Sequence, residues 1–179
     1  KDKGENMFAV NDTVQYGVNG ICKITDIRSC RFQGEPEDYY LLKPLHDEKS
    51  TIYVPVQNPE LVSKMRRVLS KEAIYDLIRA IPEQEVEWIA DDHERQRVFR
   101  EMMHSGDDLQ LFRLIKTLHL RKKEQEQHGR KLRAMDERLM QDAERILYDE
   151  IAVVLDMPSD QVLPFILEQM DVAAESNQS

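Results

Sequence analysis

The feature that most constrains the fold is a change of hydrophobic period part-way along the 179-residue chain. From Met7 to about Val56 apolar residues recur at short spacing, as in GICKITDI, DYYLLKPL and STIYVPV, which are rich in β-branched and aromatic residues. Turn-forming stretches such as Asn19-Gly20 separate these runs. Four or five short strands in about 50 residues predict a small antiparallel β-barrel, whose exposed edges are places where a partner can bind.

After the stretch NPELV the period becomes helical. Ser70 is predicted to cap a first helix that ends before Pro82, and a second helix is predicted from Trp88 to His104, ended by Ser105-Gly106. Further helices are predicted after Asp107-Asp108, in a long segment that ends near Leu155, and over SDQVLPFILEQM. The apolar face of the first helix is predicted to consist of Leu69, Ala73, Leu77 and Ile81.

The expected fold class is therefore α+β, with a small antiparallel β-barrel followed by an all-α helical bundle. The six residues before Met7 look like an expression-tag remnant. The expected boundaries are a remnant at 1–6, a β module at 7–57, a linker at 58–68, a helical domain at 69–170 and a flexible tail at 171–179.

Charge and cysteine content limit the classes of partner. A net charge of −9 argues against indiscriminate polyanion binding by the whole molecule, although a local basic face can still contact phosphates. Cys22 and Cys30 have neither metal-ligand spacing nor the number needed for a disulfide framework, so we expect reduced thiols. No apolar run approaches the roughly 18 residues of a membrane-spanning helix, and the sequence shows no signal-peptide pattern, so neither feature is expected. A cytoplasmic location without a membrane partner is expected.

The sequence carries no recognisable catalytic or metal-binding motif. The chain has no GxSxG, Walker or GxGxxG motif. The adjacent carboxylates Asp91-Asp92 and Asp107-Asp108 point in different directions on a helix, and they are more simply helix-end charges. We therefore expect no enzyme, no metal, no cofactor and no small-molecule substrate. The histidines are scattered without ligand spacing: His46, His93, His104, His119 and His128.

Cations concentrate between Arg113 and Arg133, where the local balance is +6. A second group of cations follows the tryptophan. In this group Arg97 and Arg100 share a helix face, while Arg95 points elsewhere. Two interpretations stay open, namely solvated helix faces with ion pairs and phosphate contact from two helices at one end of the bundle. The cations of the first group are Arg113, Lys116, Arg121, Lys122, Lys123, Arg130, Lys131 and Arg133.

Trp88, the single tryptophan, lies in the stretch EVEWIADDHERQR. Three roles are open for it: a half-buried core residue, an anchor in a protein interface, and a wedge against distorted DNA held by nearby arginines. Composition alone does not distinguish these three roles.

Several motifs occur together in a specific order. The opening MFAVNDTVQYGVNGICKITDI follows the pattern F-x-V-G-D-x-V-x-Y-x-x-x-G, with Asn11 where glycine is common. DYYLLKPL, TIYVPVQN, a tryptophan before a helix that ends in SGD, and AERILYDEIA complete the set. From Met7 to about Leu155 the chain thereby resembles the CarD family of bacterial transcription regulators.

This resemblance implies a Tudor-like N-terminal module that docks on the β subunit of RNA polymerase and a helical domain that contacts promoter DNA with little sequence preference. It implies that Trp88 is a minor-groove wedge that stabilises the open promoter complex, in a protein associated with the nucleoid through polymerase. The DNA-binding residues implied are Trp88, Arg95, Arg97, Arg100 and Arg138. The polymerase-binding residues implied are Arg28, Arg31, Phe32, Thr51, Ile52 and Tyr53.

The chain also departs from the CarD pattern. Ala90-Asp91-Asp92-His93-Glu94 separates the tryptophan from its arginines, and Glu137 stands where a DNA-facing lysine is expected. Intrinsic DNA affinity is therefore expected to be weak, with tethering to polymerase raising the effective concentration. Transcription-repair coupling factors carry a similar module. The alternative is a polymerase- or protein-docking adaptor that does not touch DNA.

Overall fold

The segment of short hydrophobic period forms an antiparallel sheet in the structure, a computed structural model that describes residues 7–81 and 87–176. The strands found in the described residues are Thr13–Tyr16 (β1), Ile21–Cys30 (β2), Glu37–Pro44 (β3), Ile52–Pro55 (β4) and Met65–Arg67 (β5). Their order in the sheet is β4-β3-β2-β1-β5, so β4 and β5 are its two edges.

One face of this sheet supplies a core because alternate side chains of a strand point to the same side. Val14, Ile24, Leu42 and Val54 are fully buried there, and each such burial contributes about 1.5–3 kcal/mol to folding. The pairing of β2 with β3 shifts by one residue beside Thr25, whose hydroxyl donates to a carbonyl of β3. The opposite face of the hairpin is left for surface contacts.

The segment 58–68, predicted as a linker, is instead part of the first of two compact units, which ends at Val68. Asn58 accepts a hydrogen bond from the Leu61 backbone N–H at 3.1 Å and caps a short helix, Pro59–Val62 (α1). Strand β5 then pairs with β1. Sequence reasoning ended the β module too early because a three-residue strand carries little periodicity. The predicted remnant at 1–6 lies outside the described residues.

The second unit begins at Leu69 and is helical. Ser70 caps its first helix as predicted, accepting from the Ala73 backbone N–H at 3.1 Å. Ile81 is buried as predicted, but the rest of the buried face is displaced by one position along the helix. Ile74 and Ile78 are buried, and the predicted Ala73 and Leu77 are only partly buried beside them. The helices are Lys71–Ala80 (α2), Asp92–His104 (α3), Asp108–Gln127 (α4), Ala134–Leu155 (α5) and Val162–Ser176 (α6).

Helix α3 begins four residues later than predicted because Asp91 caps it, accepting from the Glu94 backbone N–H at 2.8 Å. Trp88 therefore precedes the helix. The end of α3 is as predicted, with Gly106 at a positive φ of 71°, and Asp107 caps α4. The predicted helix stop at Pro82 lies outside the described residues.

Helix α6 extends through Ser176, whereas the sequence predicted a flexible tail from 171. Residues 177–179 of that tail lie outside the described residues. Together with the sheet, these helices confirm the predicted α+β class. In the described ranges every helix is too short or too polar to span a bilayer.

Candidate functional site

Trp88 is partly buried in the segment that leads into α3. Its ring meets Phe99 of α3 edge-on, with ring centroids 6.1 Å apart. Two guanidinium groups lie over it, that of Arg95 at 4.6 Å from the ring centroid and that of Arg121 at 4.9 Å. Both distances are within the range of cation–π attraction, so the ring is held in place by α3 and α4.

Arg95 is a buried structural residue, which corrects the expectation that it contacts DNA. Only 2% of it is exposed. Its guanidinium donates to both carboxylate oxygens of the buried Asp136 on α5, at 3.1 and 3.3 Å, and to the Ile89 carbonyl at 3.0 Å. A charge removed from water requires such partners. No donor is left to face a phosphate.

Asp92 extends this network to the chain segment between α4 and α5. Its carboxylate accepts from Arg95 at 2.6 Å and also forms an ion pair with Arg133. Three elements, the start of α3, the start of α5 and the segment before α5, are thereby fixed around the tryptophan. Asp92 consequently has a structural role in addition to that of the helix-end charge that the sequence indicated.

Arg97 is exposed but its charge is compensated by two glutamates. It donates to Glu94 at 2.5 Å and to Glu101 at 2.6 Å. Hydrogen bonding to Glu94 is the largest cause that raises the pKa of Arg97, and Arg97 in turn lowers the pKa of Glu94. Arg97 therefore presents little unbalanced charge to a phosphate.

Arg100 and Arg138 are exposed, and in residues 7–81 and 87–176 neither has a side-chain partner. Arg97 and Arg100 line a groove of about 710 Å³ along α3 together with Met135. This groove adjoins the cavity beside Trp88, with which it shares Asp92, Arg95 and Arg133, and Arg138 lines neither. Four of the five predicted DNA-binding residues therefore line the two adjoining hollows, and Arg138 lies outside them.

The cavity beside Trp88, of about 510 Å³, is the more cationic of the two. Its described lining contains five cations and two carboxylates, and both carboxylates, Asp92 and Asp136, already bind arginines. We call it the Trp88 cavity. Its cations are Arg95, Arg121, Arg130, Lys131 and Arg133.

Four of these cations were not predicted as site residues, although the local charge of +6 had marked their region. Arg121 lies on α4, and the other three come from the segment between α4 and α5. The sequence did not show that this segment returns to Trp88. At the expected lysine position, Glu137 accepts from Lys122 at 3.1 Å, which raises the pKa of Lys122.

The first unit carries a different cluster beside β3 and β4, which we call the aromatic patch: the exposed rings of Phe32 and Tyr53 and the buried ring of Tyr39. Their ring centroids are 5.0 to 6.2 Å apart and the rings meet edge-on. Phe32 is 59% exposed. The hydrogen bond that the Tyr39 hydroxyl donates to Glu37 is the main cause that raises the pKa of Tyr39 to about 12, and a hydrogen bond with Tyr53 raises the pKa of Arg28.

The patch contains two of the predicted polymerase-binding residues, Phe32 and Tyr53, and a third, Arg28, interacts with Tyr53. Arg31 donates to the Gly34 carbonyl at 2.8 Å and closes the turn beside them. Thr51 is exposed before the edge strand β4, but Ile52 packs partly against the core, so its side chain is less available than predicted. An edge strand next to exposed rings is suited to a protein partner.

Two family models match the chain. That of the CarD-like/TRCF RID domain covers residues 8–69, and that of the CarD C-terminal domain covers residues 61–166. The chain belongs to the CarD family. The resemblance seen in the sequence motifs is thereby confirmed. No curated protein matches the chain significantly.

In CarD proteins the RID is the RNA polymerase-interacting domain, so this chain is a CarD-like, polymerase-interacting transcription regulator. CarD proteins are transcription factors and not enzymes. Within residues 7–81 and 87–176, no group of three or more acidic, histidine or cysteine side chains is placed to hold a metal ion.

Proposed function

We propose that this CarD-family protein docks on the β subunit of RNA polymerase through its β unit and stabilises the open promoter complex through Trp88. The ring would act as a wedge against an opened base step at the upstream edge of the bubble, with little sequence preference. The protein would then reside in the cytoplasm and associate with the nucleoid through polymerase.

The observation that carries this proposal is the placement of Trp88. A core tryptophan would be enclosed by the bundle, whereas this ring is partly exposed on the wall of a cationic cavity. Its contacts with Phe99, Arg95 and Arg121 hold it in one orientation. A wedge that is already ordered loses little conformational entropy on binding.

The free energy of stacking on a DNA base is large enough for this role. An aromatic side chain stacked on a base contributes about 1–3 kcal/mol, and about 1.4 kcal/mol changes an equilibrium ratio tenfold. The contact is made only after the step has opened, so it selectively stabilises the open complex.

Docking is supported by the aromatic patch and by β4 at the edge of the sheet. Tyr53 places its ring on the outer face while the neighbouring Val54 is in the core, as strand alternation requires. A partner strand could pair with β4 while its side chains cover the rings.

The test is the lifetime of the open complex formed by purified polymerase on a slowly opening promoter. Trp88→Ala should abolish most of the stabilisation, shortening the lifetime by about tenfold, because the stacking surface is lost. Trp88→Phe is the matched variant and should retain part of the effect. Polymerase affinity and circular dichroism should be unchanged in both.

An unchanged lifetime in Trp88→Ala, with polymerase binding retained, would contradict the wedge. That outcome would favour the adaptor, in which the helical unit binds another protein. Loss of polymerase binding in the same variant would contradict the separation of the two functions between the two units.

A further inference from the structure

The segment between α4 and α5 contains two cations that the fold itself does not use. Arg130 and Lys131 are exposed and line the Trp88 cavity, and across residues 7–81 and 87–176 neither side chain has a hydrogen-bond or ion-pair partner. We call residues 128–133 the α4–α5 turn. Its third cation, Arg133, is paired with Asp92.

The other cations of the cavity are engaged. Arg95 is buried against Asp136. Arg121 is paired with Glu124 at 2.7 Å and lies against the Trp88 ring. Positive charge that is available to an external anion is therefore concentrated in Arg130 and Lys131.

The α4–α5 turn is held at both ends. Gly129 adopts a positive φ of 66°, which lets its own N–H donate to the Glu126 carbonyl at 3.0 Å and the next N–H donate to the Gln125 carbonyl at 2.9 Å. This is the hydrogen-bond pattern of a Schellman motif. At the other end the Arg133–Asp92 pair ties the turn to α3. The two free cations are thus carried on a fixed segment of backbone.

Their position beside Trp88 favours a DNA backbone phosphate as the anion. A ring inserted at a base step has backbone phosphates on both sides of it, and phosphate contacts set the register of a DNA-binding protein. Arginine binds a phosphate through paired N–H donors, and lysine binds one as a point charge. Both occur here, in a protein whose net charge of −9 would otherwise repel DNA.

We propose that Arg130 and Lys131 of the α4–α5 turn bind DNA backbone phosphates next to the step that Trp88 wedges. In this chain they would make the DNA contacts that the resemblance assigned to Arg95 and to a lysine at the position of Glu137. This inference rests on the proposed function, and it adds a phosphate site on a segment that lies more than forty residues after the tryptophan.

The test is the double substitution Arg130→Gln/Lys131→Gln, assayed by open-complex lifetime from 50 to 200 mM salt. Each phosphate contact contributes a slope of about 0.9 in log binding against log salt, so losing two should make the slope shallower by about 1.8. Over that range, wild-type stabilisation should decline roughly tenfold more than that of the variant. The matched control is Lys71→Gln/Lys123→Gln, two exposed cations outside the cavity lining.

A second arm identifies the ligand. Promoters with a single neutral methylphosphonate linkage, moved along the upstream edge of the bubble, should weaken stabilisation by the wild type at one or two positions. At those positions the Arg130→Gln/Lys131→Gln variant should be insensitive, since its contact is already absent. Trp88→Ala should remain sensitive to the same linkages, because its cations are intact.

Each other outcome overturns the proposal in a distinguishable manner. An unchanged slope in the turn variant, with a shortened lifetime in Trp88→Ala, rejects the phosphate site and leaves the wedge standing. No effect of either variant rejects both proposals. An equal loss in the control indicates general charge, and weaker polymerase binding without DNA indicates an acidic protein surface as the ligand.

Discussion

The aromatic patch of the β unit and the Trp88 cavity of the helical unit both combine exposed aromatic surface with arginine, yet they suit different partners. In the patch, three rings contact one another and leave an apolar surface beside an edge strand. In the cavity, a single ring contacts two guanidinium groups and faces cations whose side chains have no partner in the part of the chain that the structure describes. Aromatic rings that pack on one another favour a protein as the binding partner, whereas a ring surrounded by cations favours a polyanion.

The comparison also shows that an arginine close to a functional aromatic residue is not necessarily a contact residue. Arg95 is the nearest cation to Trp88, but it is buried and neutralised. Arg130 comes from a distant part of the sequence, and its side chain has no partner among residues 7–81 and 87–176. An arginine can bind a phosphate only if its charge is not already paired within the protein. Its distance from Trp88 in the sequence does not decide this.

The largest expected effect concerns the buried pair. Arg95→Met should lower the free energy of unfolding by about 3–5 kcal/mol, because it leaves the Asp136 carboxylate buried without its cation. Denaturant titration followed by the fluorescence of Trp88 measures this directly. The control Arg97→Met removes an exposed arginine from the same helix and should have little effect on stability. Equal losses in the two variants would show that Arg95 is not the internal residue described above.

The next largest effect should separate the two regions. Phe32→Ala should weaken polymerase binding by about 30-fold, corresponding to the roughly 2 kcal/mol of an interface hot spot. Leu45→Ala is the matched control, since Leu45 is also an exposed apolar residue of the β unit but lies outside the patch. Affinity should be measured without promoter DNA. A salt-dependent change in Phe32→Ala would contradict an apolar protein contact.

The smallest effect is a titration that probes the patch. The pKa of Tyr39 is raised from 10.0 to about 12, mainly by its hydrogen bond with Glu37, so the folded state retains the phenol proton more tightly. The resulting stabilisation is present below pH 10 and is lost as the pH rises toward 12. Glu37→Gln should lower the pKa of Tyr39, as measured by NMR of labelled tyrosine. If the pKa of Tyr39 is the same in Glu37→Gln as in the wild type, the hydrogen bond between Tyr39 and Glu37 is not its cause.

The local features of this protein could be predicted from its sequence because they depend on neighbouring residues. The change from period-two to helical patterning determined the α+β class, and Ser70, Gly106 and Asp107 marked helix ends where the structure has them. The motifs also indicated the CarD family, which the family models confirm. A short strand such as β5 escaped prediction because three residues give no measurable period.

Which arginine is structural and which is free was decided only by the tertiary structure. Arg95 and Arg97 are two residues apart and equally basic in the sequence, but only Arg95 meets a carboxylate forty-one residues away. Likewise, nothing local places the α4–α5 turn beside Trp88. Long-range packing sets burial and pairing, and these determine whether a charge supports the fold or remains available to bind a phosphate.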